Sequence, residues 1–505
     1  MNKPYQWLEA RFNRLSQLAH FNHLANWDQA TQMPSGGAAA RGEAMAELSL
    51  IRHELLTATE VAEQLAMASG EALTAIQQAN LRAMQRQYDL SVAVPGKLVR
   101  AKTQAAMAAE NAWRQLRPAN NWTEYAPILK NMVDLVREEA DARVEYASKQ
   151  NANITAGKAA RYDQLIDLYE PGCSSAFIAP IFARLKQTLP ALINQVSERQ
   201  ASQPLMPLPT PLHAEKQFQL ARGVSQKLGF DFERGRMDLS HHPFCGGVPD
   251  DIRITSRFDP NDLFDGLMST IHETGHSLYE AGLPKSLRGQ PVGEAQSTGL
   301  HESQSLLFEM QLARTPEFVS FLQPQVEQIF GSHSAFASDN LYRHITRVSA
   351  GHIRVAADEL TYPMHIILRY EIEQALMQEQ IEVADIPALW DEKMQQYLGV
   401  ATLGNDKDGC MQDVHWAAGE FGYFPTYTLG ALYAAQLTAS LRKTQPDFGA
   451  AIAQGDFGSI KHWLSQHVWQ HGGRYTTEQI ITMATGEPLN PDFFVNHLKR
   501  RYLDE

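Results

Sequence analysis

Cysteine is scarce in this chain, which has three cysteines in 505 residues. Cys173, Cys245 and Cys410 lie far apart, and no two of them form a C-x-x-C pair. This usage excludes a disulfide-built scaffold and is typical of proteins kept in a reducing compartment. We therefore expect a cytoplasmic protein.

The chain also lacks a long apolar run and an excess of basic residues. Glu9, Arg11 and Arg14 interrupt the N-terminal segment, which is not of the signal-peptide type. The most apolar later run, residues 429–441, is too short to cross a bilayer. The formal net charge is −13, whereas binding to a phosphate backbone needs clustered lysine and arginine. The sequence therefore predicts neither a membrane nor a nucleic acid as a partner.

What is present is helical periodicity in a globular composition, with 44% hydrophobic and 20% charged residues. The helical stretches before residue 200 cover about 5–30, 38–68, 71–91, 95–116, 123–149, 159–169 and 174–198. Proline and glycine separate them. The Pro-rich run at 203–213 is a candidate linker or crossing segment. The sequence contains no internal repeat, and its fold class is mainly α.

One interval departs from the helical pattern. In residues 241–258, Gly246-Gly247 and Pro249 indicate a turn, and Ile252 and Ile254 then alternate with polar residues. This pattern predicts a short strand, half of a hairpin, immediately before the next helix.

That helix carries HETGH at residues 272–276. Residues i and i+4 share a helix face, so His272 and His276 can bind one metal ion, and Glu273 lies beside them as a candidate general base. Asn261 or Asp262 is the predicted N-cap. Taken alone, the pattern also fits two histidines that merely pack or lie on the surface.

A third ligand decides between these interpretations, because a catalytic zinc site has three protein ligands and one open position. The next helical pattern begins near Glu294, and antiparallel packing brings a residue six to eight positions later level with His276. Glu302 meets this condition, whereas Glu309 lies about two turns too far along. His301 points elsewhere and is expected to support the site or to pack nearby.

The chain resembles the Taq-type thermostable metallocarboxypeptidase family, and the resemblance extends beyond HETGH and the following HES at 301–303. Four further motifs of that family occur in the family's order: HPF at 242–244, DIRIT at 251–255, IRVAAD at 353–358 and GCMQDVHW at 409–416.

The resemblance implies a two-lobed, neurolysin-like helical peptidase with a deep groove, partly covered by the N-terminal helices. It implies a homodimer with one divalent metal per chain, Zn²⁺ or Co²⁺. The implied activity is removal of single C-terminal residues, with broad preference, from peptides that have a free C-terminus. Within one catalytic unit, 1–505, we expect a helical lobe at 1–200, a zinc-binding core at 213–430 and a C-terminal helical segment at 431–505.

The same motifs supply candidate substrate-binding residues. Arg354 is the candidate clamp for the terminal carboxylate, since arginine binds carboxylates through two hydrogen bonds; its alternative is an ion pair with Asp358, four residues on. Arg253 is expected to order the groove, or else to occupy an exposed edge position. Gln412 and Asp413 are assigned to the groove with it.

His415, Tyr423 and Tyr427 are candidates for stabilising the oxyanion. Both tyrosines stay open because Pro425 separates them, with Tyr427 preferred. His242 is a further candidate for the pocket wall, although the HPF turn is also explained as a purely structural element. The Asp-rich loop before His415 does not have the spacing of a helix-loop-helix calcium site.

Three other functions use some of the same features. A zinc endopeptidase or oligopeptidase, or a dipeptidyl-carboxypeptidase, would have the same metal site with a differently closed groove. A non-catalytic helical protein would hold a structural metal with four ligands. A helical scaffold would bind no metal at all.

Overall fold

The computed structural model describes residues 3–151 and 157–504. Within these residues the protein is mainly α-helical, as the sequence predicts, and has one small three-stranded sheet. The first helices are α1 (Pro4–Thr31), α2 (Ala38–Thr57), α3 (Thr59–Ala68), α4 (Ala75–Val92), α5 (Gly96–Leu116), α6 (Trp122–Gln150), α7 (Lys158–Ile166) and α8 (Ser175–Ala201).

The periodic stretch at 38–68 is two helices rather than one. Ala58 has ψ 142°, an extended conformation that ends α2 and starts α3 in a new direction. Val61 and Leu65 of α3 are buried, whereas α2 has no buried residue. The break therefore lets the more apolar second half pack against α1.

The apolar residues form two separate cores. A small core joins α1, α3 and α4 through side chains such as Leu8, Phe12, Val61 and Met84. The main core begins at α5 and α6 and includes all later helices that carry sequence motifs. The N-terminal helices are thus stabilised largely by contacts among themselves.

Helix α8 is long and apolar enough to span a membrane by length and composition, with 27 residues and a mean hydropathy of 1.2. Ile178, Leu185, Leu189 and Val196 on this helix are fully buried in the main core. Packing inside the protein therefore accounts for its apolar face.

The sheet lies directly before the HETGH helix. It consists of β1 (Gly235–Leu239), β2 (Phe244–Val248) and β3 (Asp251–Ser256) in the order β1-β3-β2. Strands β2 and β3 form the predicted hairpin, with Cys245 opposite Ile254. The parallel strand β1 was not predicted, and because it pairs with β3, Arg253 lies on the central strand and not at an edge.

The Pro-rich run at 203–213 crosses between α8 and α9 and is tied to the later part of the chain. The side-chain amide of Asn340 accepts a hydrogen bond from Met206 N and donates one to Met206 O, both at 2.9 Å. The segment is therefore a crossing segment and not a free linker.

The remaining helices are α9 (Ala214–Leu228), α10 (Leu263–Gly282), α11 (Thr298–Leu306), α12 (Pro316–Phe330), α13 (Ser338–Ile345), α14 (Tyr362–Met377), α15 (Ile386–Leu398), α16 (His415–Ala418), α17 (Pro425–Thr444), α18 (Phe448–Ala453), α19 (Gly458–His467), α20 (Thr477–Thr485) and α21 (Asp492–Leu503). A π-helical turn, Leu307–Leu312, continues α11. The expected boundary between 430 and 431 falls inside α17, so the core and the C-terminal segment share a continuous helix.

Candidate metal centre and substrate cavity

Helix α10 presents His272, Glu273 and His276. The side chain of Asp262 caps its N-terminus by accepting hydrogen bonds from the Phe264 and Asp265 amides, and the helix ends at Gly282 before Pro284, as predicted. The two histidine rings, one helical turn apart, lie edge to face with centroids 4.9 Å apart.

Two glycines let neighbouring helices come close to this one. A Cβ atom on Gly275 of α10 would lie 2.6 Å from the backbone of Gln304 and Ser305 on α11. A Cβ atom on Gly430 of α17 would lie 2.8 Å from the Cβ of Glu302. Because both positions lack a side chain, α11 is held between α10 and α17 with Glu302 close to the histidines.

The three side chains expected to bind the metal meet at one point. Glu302 Oε2 is 3.4 Å from His276 Nε2 and 3.7 Å from His272 Nε2, and all the ligand atoms lie within 4.8 Å of one another. Zinc bonds of about 2.0–2.2 Å at tetrahedral angles separate ligand atoms by about 3.3–3.6 Å. The donor set and its spacing therefore fit a divalent metal.

Glu302 lies close to both histidines, as expected, but its helix starts at a later residue than expected. Helix α11 begins at Thr298, not near Glu294, because residues up to 297 form an irregular segment. Ser297 caps the helix, and its hydroxyl donates to the buried carboxylate of Glu170, which also accepts from Gly299 N at 3.0 Å. A residue distant in sequence thus sets where α11 starts.

Behind His272 lies the carboxylate of Glu309, which was predicted to lie about two turns too far along its helix to bind the metal. Glu309 Oε2 is 3.0 Å from His272 Nδ1, and Glu309 Oε1 accepts from Arg314 Nη2 at 2.8 Å. Because α10 and the helical segment that follows Glu302 pack antiparallel, Glu309, two turns after Glu302, contacts Nδ1 of His272, the earlier of the two histidines. Glu309 orients His272 so that Nε2 faces the metal position.

Behind His276 lies a second histidine. His301 Nδ1 is 2.7 Å from His276 Nδ1, and His301 Nε2 is 2.8 Å from Glu280 Oε1. Because the Glu280 carboxylate accepts from the His301 Nε2–H, the other nitrogen of that ring, Nδ1, can accept from His276 Nδ1–H. The His276 Nε2 lone pair is then directed at the metal position.

The two metal histidines have opposite pKa shifts, although both contact Glu302. Burial lowers the pKa of His272, but the negative charges of Glu302 and Glu309 outweigh it and raise the value to about 10. Burial, together with the neighbouring rings of His301 and His272, lowers the pKa of His276 to about 4 despite its hydrogen bond to Glu302. Glu309, which lies behind only His272, and His301, which lies behind only His276, both contribute to this difference.

Glu273 is the remaining carboxylate at this point of α10. Its side chain lines the cavity, and among the described residues it has no hydrogen-bond partner. Burial raises its pKa to about 7, against the opposing charge of His272. A carboxylate of this kind is able to accept a proton near neutral pH.

These groups open into a cavity of about 1610 Å³. Arg354 lies in its wall on a short 3₁₀ helix, Arg354–Ala356, where its guanidinium binds Asp413 Oδ1 through Nε and Nη2, both at 2.9 Å. Its Nη1 donates to Tyr362 Oη at 2.7 Å. The alternative ion pair with Asp358 is absent in the described residues, because Asp358 instead accepts from the backbone amides of Leu360 and Thr361, just before α14.

Gln412 and Asp413 also line the cavity, but their polar atoms are largely used within the protein. Gln412 Oε1 accepts from Arg354 N at 2.7 Å, and its amide donates to the carbonyls of His352 and Asp408. Asp413 accepts from Arg354 and also from the fully buried Arg369. Both residues therefore position Arg354, and their expected contact with substrate stays a prediction.

His415, Tyr423 and Tyr427 lie together on the same wall. His415 Nε2 is 3.2 Å from Tyr427 Oη, and the Tyr427 ring lies 5.0 Å from the Arg354 guanidinium carbon. Tyr423 packs edge to face on Tyr427, with centroids 5.2 Å apart, and on Tyr169. Burial lowers the pKa of His415 to about 4, so the ring is neutral.

The two remaining candidates differ in position. His242 is exposed in the cavity wall, stacked edge to face on His241. Arg253 is not among the lining residues described; it forms a two-pronged ion pair with Asp251 and lies 4.5 Å from the Trp27 ring of α1. Arg253 therefore attaches α1 to the sheet, and its expected role in ordering the groove stays a prediction.

Four residues that contact and support the site residues were not predicted from the sequence: Glu280, Arg314, Tyr362 and Arg369. Glu280 is eight residues after His272 on the same helix face, and that spacing was an available signal. Arg314 and Tyr362 contact site residues five and eight positions away, whereas Arg369 contacts Asp413, 44 residues later.

A family model described as carboxypeptidase Taq (M32) metallopeptidase matches residues 7–502. The chain is 35% identical over 509 residues to "Thermostable carboxypeptidase 1" of Thermus thermophilus, covering 99% of this chain and 98% of that protein. It is 32% identical over 499 residues to "Carboxypeptidase 1" of Bacillus subtilis, covering 97% of each.

Solved structures agree with the sequence relatives. Metallocarboxypeptidase 1 of Trypanosoma cruzi superposes with a TM-score of 0.95 at 42% identity, covering 99% of both chains. A Pyrococcus furiosus carboxypeptidase gives 0.92 at 30% identity, with 99% of both chains covered. The resemblance inferred from the motifs is confirmed: this chain belongs to the carboxypeptidase Taq (M32) metallopeptidase family and is a metallocarboxypeptidase, a hydrolase of peptides.

Proposed function

We propose that this enzyme releases single C-terminal residues from peptides with broad preference, using zinc held by His272, His276 and Glu302. The observation that carries the proposal is that this three-residue cluster and Arg354 open into one cavity. When bound, the metal would act as a Lewis acid that polarises the scissile carbonyl and lowers the pKa of a water molecule. Cobalt is the alternative ion for the same donors.

Glu273 is the proposed general base. It lies next to His272 on α10, and its raised pKa lets it hold a proton at neutral pH. It takes a proton from the attacking water at a carboxylate oxygen and delivers it to the leaving amine. The two other carboxylates beside the histidines, Glu302 and Glu309, are bound to the histidine rings.

Tyr427 is the preferred donor to the oxyanion. In the Nε2–H tautomer, His415 donates to Tyr427 Oη, which leaves the hydroxyl proton free for the carbonyl oxygen of the substrate. His415 Nδ1 is buried without a partner, which is compatible with the unprotonated side of that tautomer. Tyr423 supports the Tyr427 ring.

Arg354 is the proposed clamp for the terminal carboxylate. Asp413 lies between Arg354 and Arg369, so the three groups together keep one positive charge. That charge attracts the free C-terminus of a peptide, and two remaining N–H groups of Arg354 can bind it. Val355, which follows Arg354 in the wall, is 70% exposed and leaves space beside the clamp for side chains of different sizes.

The test is mass spectrometry of a mixed set of peptides, each with a free and an amidated C-terminus, with added zinc and with a chelator. We expect single amino acids from the free peptides only, and no products with the chelator. Cleavage of the amidated peptides would favour an endopeptidase, and released dipeptides a dipeptidyl-carboxypeptidase. If the metal-loaded protein hydrolyses none of the peptides, the result would favour a non-catalytic protein with a structural metal site.

The expected groove between two lobes, the homodimer and the cytoplasmic location are also part of this proposal. The single cavity that holds the motif residues supports a groove, and the family resemblance supports the dimer. Light scattering would measure the mass in solution, and cell fractionation the location. A monomer at all concentrations would contradict the dimer.

A further inference from the structure

A second cavity, of about 360 Å³, lies between α4, the start of α11 and the turn that leads into α20. Its described lining contains Arg82, Arg86 and Arg474 and no aspartate or glutamate. The local charge is thus opposite in sign to the net charge of −13 on the whole chain. A concave surface of this composition attracts anions.

The three arginines are not equally neutralised. Arg86 forms an ion pair with Asp167, with Nη1 2.6 Å from Oδ2. Arg474 donates only to the carbonyls of His471 and Gln470. Arg82 is exposed and forms no hydrogen bond or ion pair with the described part of the chain. Two guanidinium groups therefore remain without a counter-charge at this cavity.

The rest of the wall limits the kind of anion. Ala79, Ala83, Leu300 and Ile480 give it an apolar surface, and its volume is at the lower end of small-molecule sites, which span about 300–1,000 Å³. An inorganic ion would leave this surface in contact with water. The N-terminus of α20 is closed by its own capping box between Thr476 and Gln479, so the arginines and not the helix end would hold the ligand.

We infer that this cavity binds a small organic carboxylate with an apolar body, a class that includes free amino acids and their N-acyl derivatives. The carboxylate forms charge-assisted hydrogen bonds with Arg82 and Arg474. Gln296 and Ser297 belong to the walls of both cavities, so the site lies directly behind the start of α11. Binding here requires neither a metal nor any of the catalytic roles proposed above.

The experiment is calorimetric titration of the full-length protein with N-acetyl-leucine and, separately, with inorganic phosphate. We compare wild type, the double variant Arg82→Met/Arg474→Met and the clamp variant Arg354→Met. A binding event that the double variant weakens at least tenfold and that Arg354→Met retains supports the site. The double variant should hydrolyse peptides at the wild-type initial rate.

Arg100→Met/Arg500→Met is the matched control, because it removes the same charge from exposed arginines outside both cavities. If the double variant does not fold, Arg82→Met alone is used, since the exposed Arg82 makes no contact needed for folding; it should weaken binding at least threefold. Binding that is unchanged in these variants, or equally weakened in the control, overturns the site. Phosphate binding as tight as that of N-acetyl-leucine overturns the ligand class.

Discussion

The two sides of the metal centre orient the same type of ligand by different means. His272 is backed by an ionised carboxylate, Glu309, which is in turn held by Arg314. His276 is backed by the ring of His301, whose other nitrogen lies 2.8 Å from Glu280 Oε1. On the His272 side, a carboxylate contacts the metal-site imidazole directly. On the His276 side, the Glu280 carboxylate contacts His301, and His301 contacts the imidazole. The opposite pKa shifts of the two ligands follow from this difference.

Glu273→Gln has the largest expected effect. It should reduce catalysis without changing how either histidine binds the metal. The amide cannot accept a proton, so we expect kcat to fall by about 10²–10⁴-fold. Metal content should stay at the wild-type level, because neither backing contact changes. Stopped assays and elemental analysis of the same sample measure both. Normal turnover in this variant would disprove the assigned base.

Glu309→Gln removes the charge behind His272. We expect the zinc dissociation constant to rise by about 100-fold, since contacts of this kind contribute about 10–100-fold to affinity. The free energy of unfolding should fall by about 3 kcal/mol, because the partly buried Arg314 loses its charged partner and keeps only its hydrogen bond to the Ile345 carbonyl. Competition with a fluorescent chelator and denaturant unfolding measure the two quantities. An unchanged zinc affinity would show that the charge is not needed.

Glu280→Ala breaks the relay behind His276, and here the expected rise in the zinc dissociation constant is smaller, about tenfold. Glu280→Gln should restore wild-type affinity, because its amide oxygen still accepts from His301 Nε2–H. The same chelator competition applies to both variants. If Glu280→Gln is as weak as Glu280→Ala, then the charge and not the hydrogen bond is what His276 requires.

The smallest effect is the number of protons released when zinc binds. At pH 7 His272, with a pKa raised to about 10, carries a proton in the metal-free protein, whereas His276, lowered to about 4, does not. Glu302, whose pKa is lowered to about 2 because His272 outweighs the effect of burial, is already ionised. Zinc should therefore displace about one proton. Titration calorimetry in buffers of different ionisation enthalpy counts it, and Glu309→Gln should reduce the number.

Local sequence was sufficient for elements whose cause is local. The helix with HETGH, its Asp262 cap and the β2–β3 hairpin follow from spacing and turn residues that lie within a few positions of each other. Glu302 was predicted as the third ligand from helix geometry, although the helix starts later than expected.

What the sequence did not predict depends on contacts between distant segments. Strand β1 forms because β3 offers it a parallel edge, and its own residues show little alternation. The pairing of Arg354 with Asp413 joins positions 59 residues apart and replaces the local ion pair with Asp358. The break at Ala58 follows from burial of α3 against α1, a tertiary preference that periodicity does not contain.

The buried carboxylate of Glu170 has a consequence for how this protein can be divided. It holds Ser297, Gly299 and Thr477, and so connects the end of the N-terminal helical region with the first turn of α11 and the first turn of α20. A shortened enzyme that began after Glu170 would lose the carboxylate that fixes the start of α11, the helix that carries Glu302. The segment between α7 and α8 is therefore part of the support of the catalytic centre, whereas α1, α3 and α4 share a core of their own.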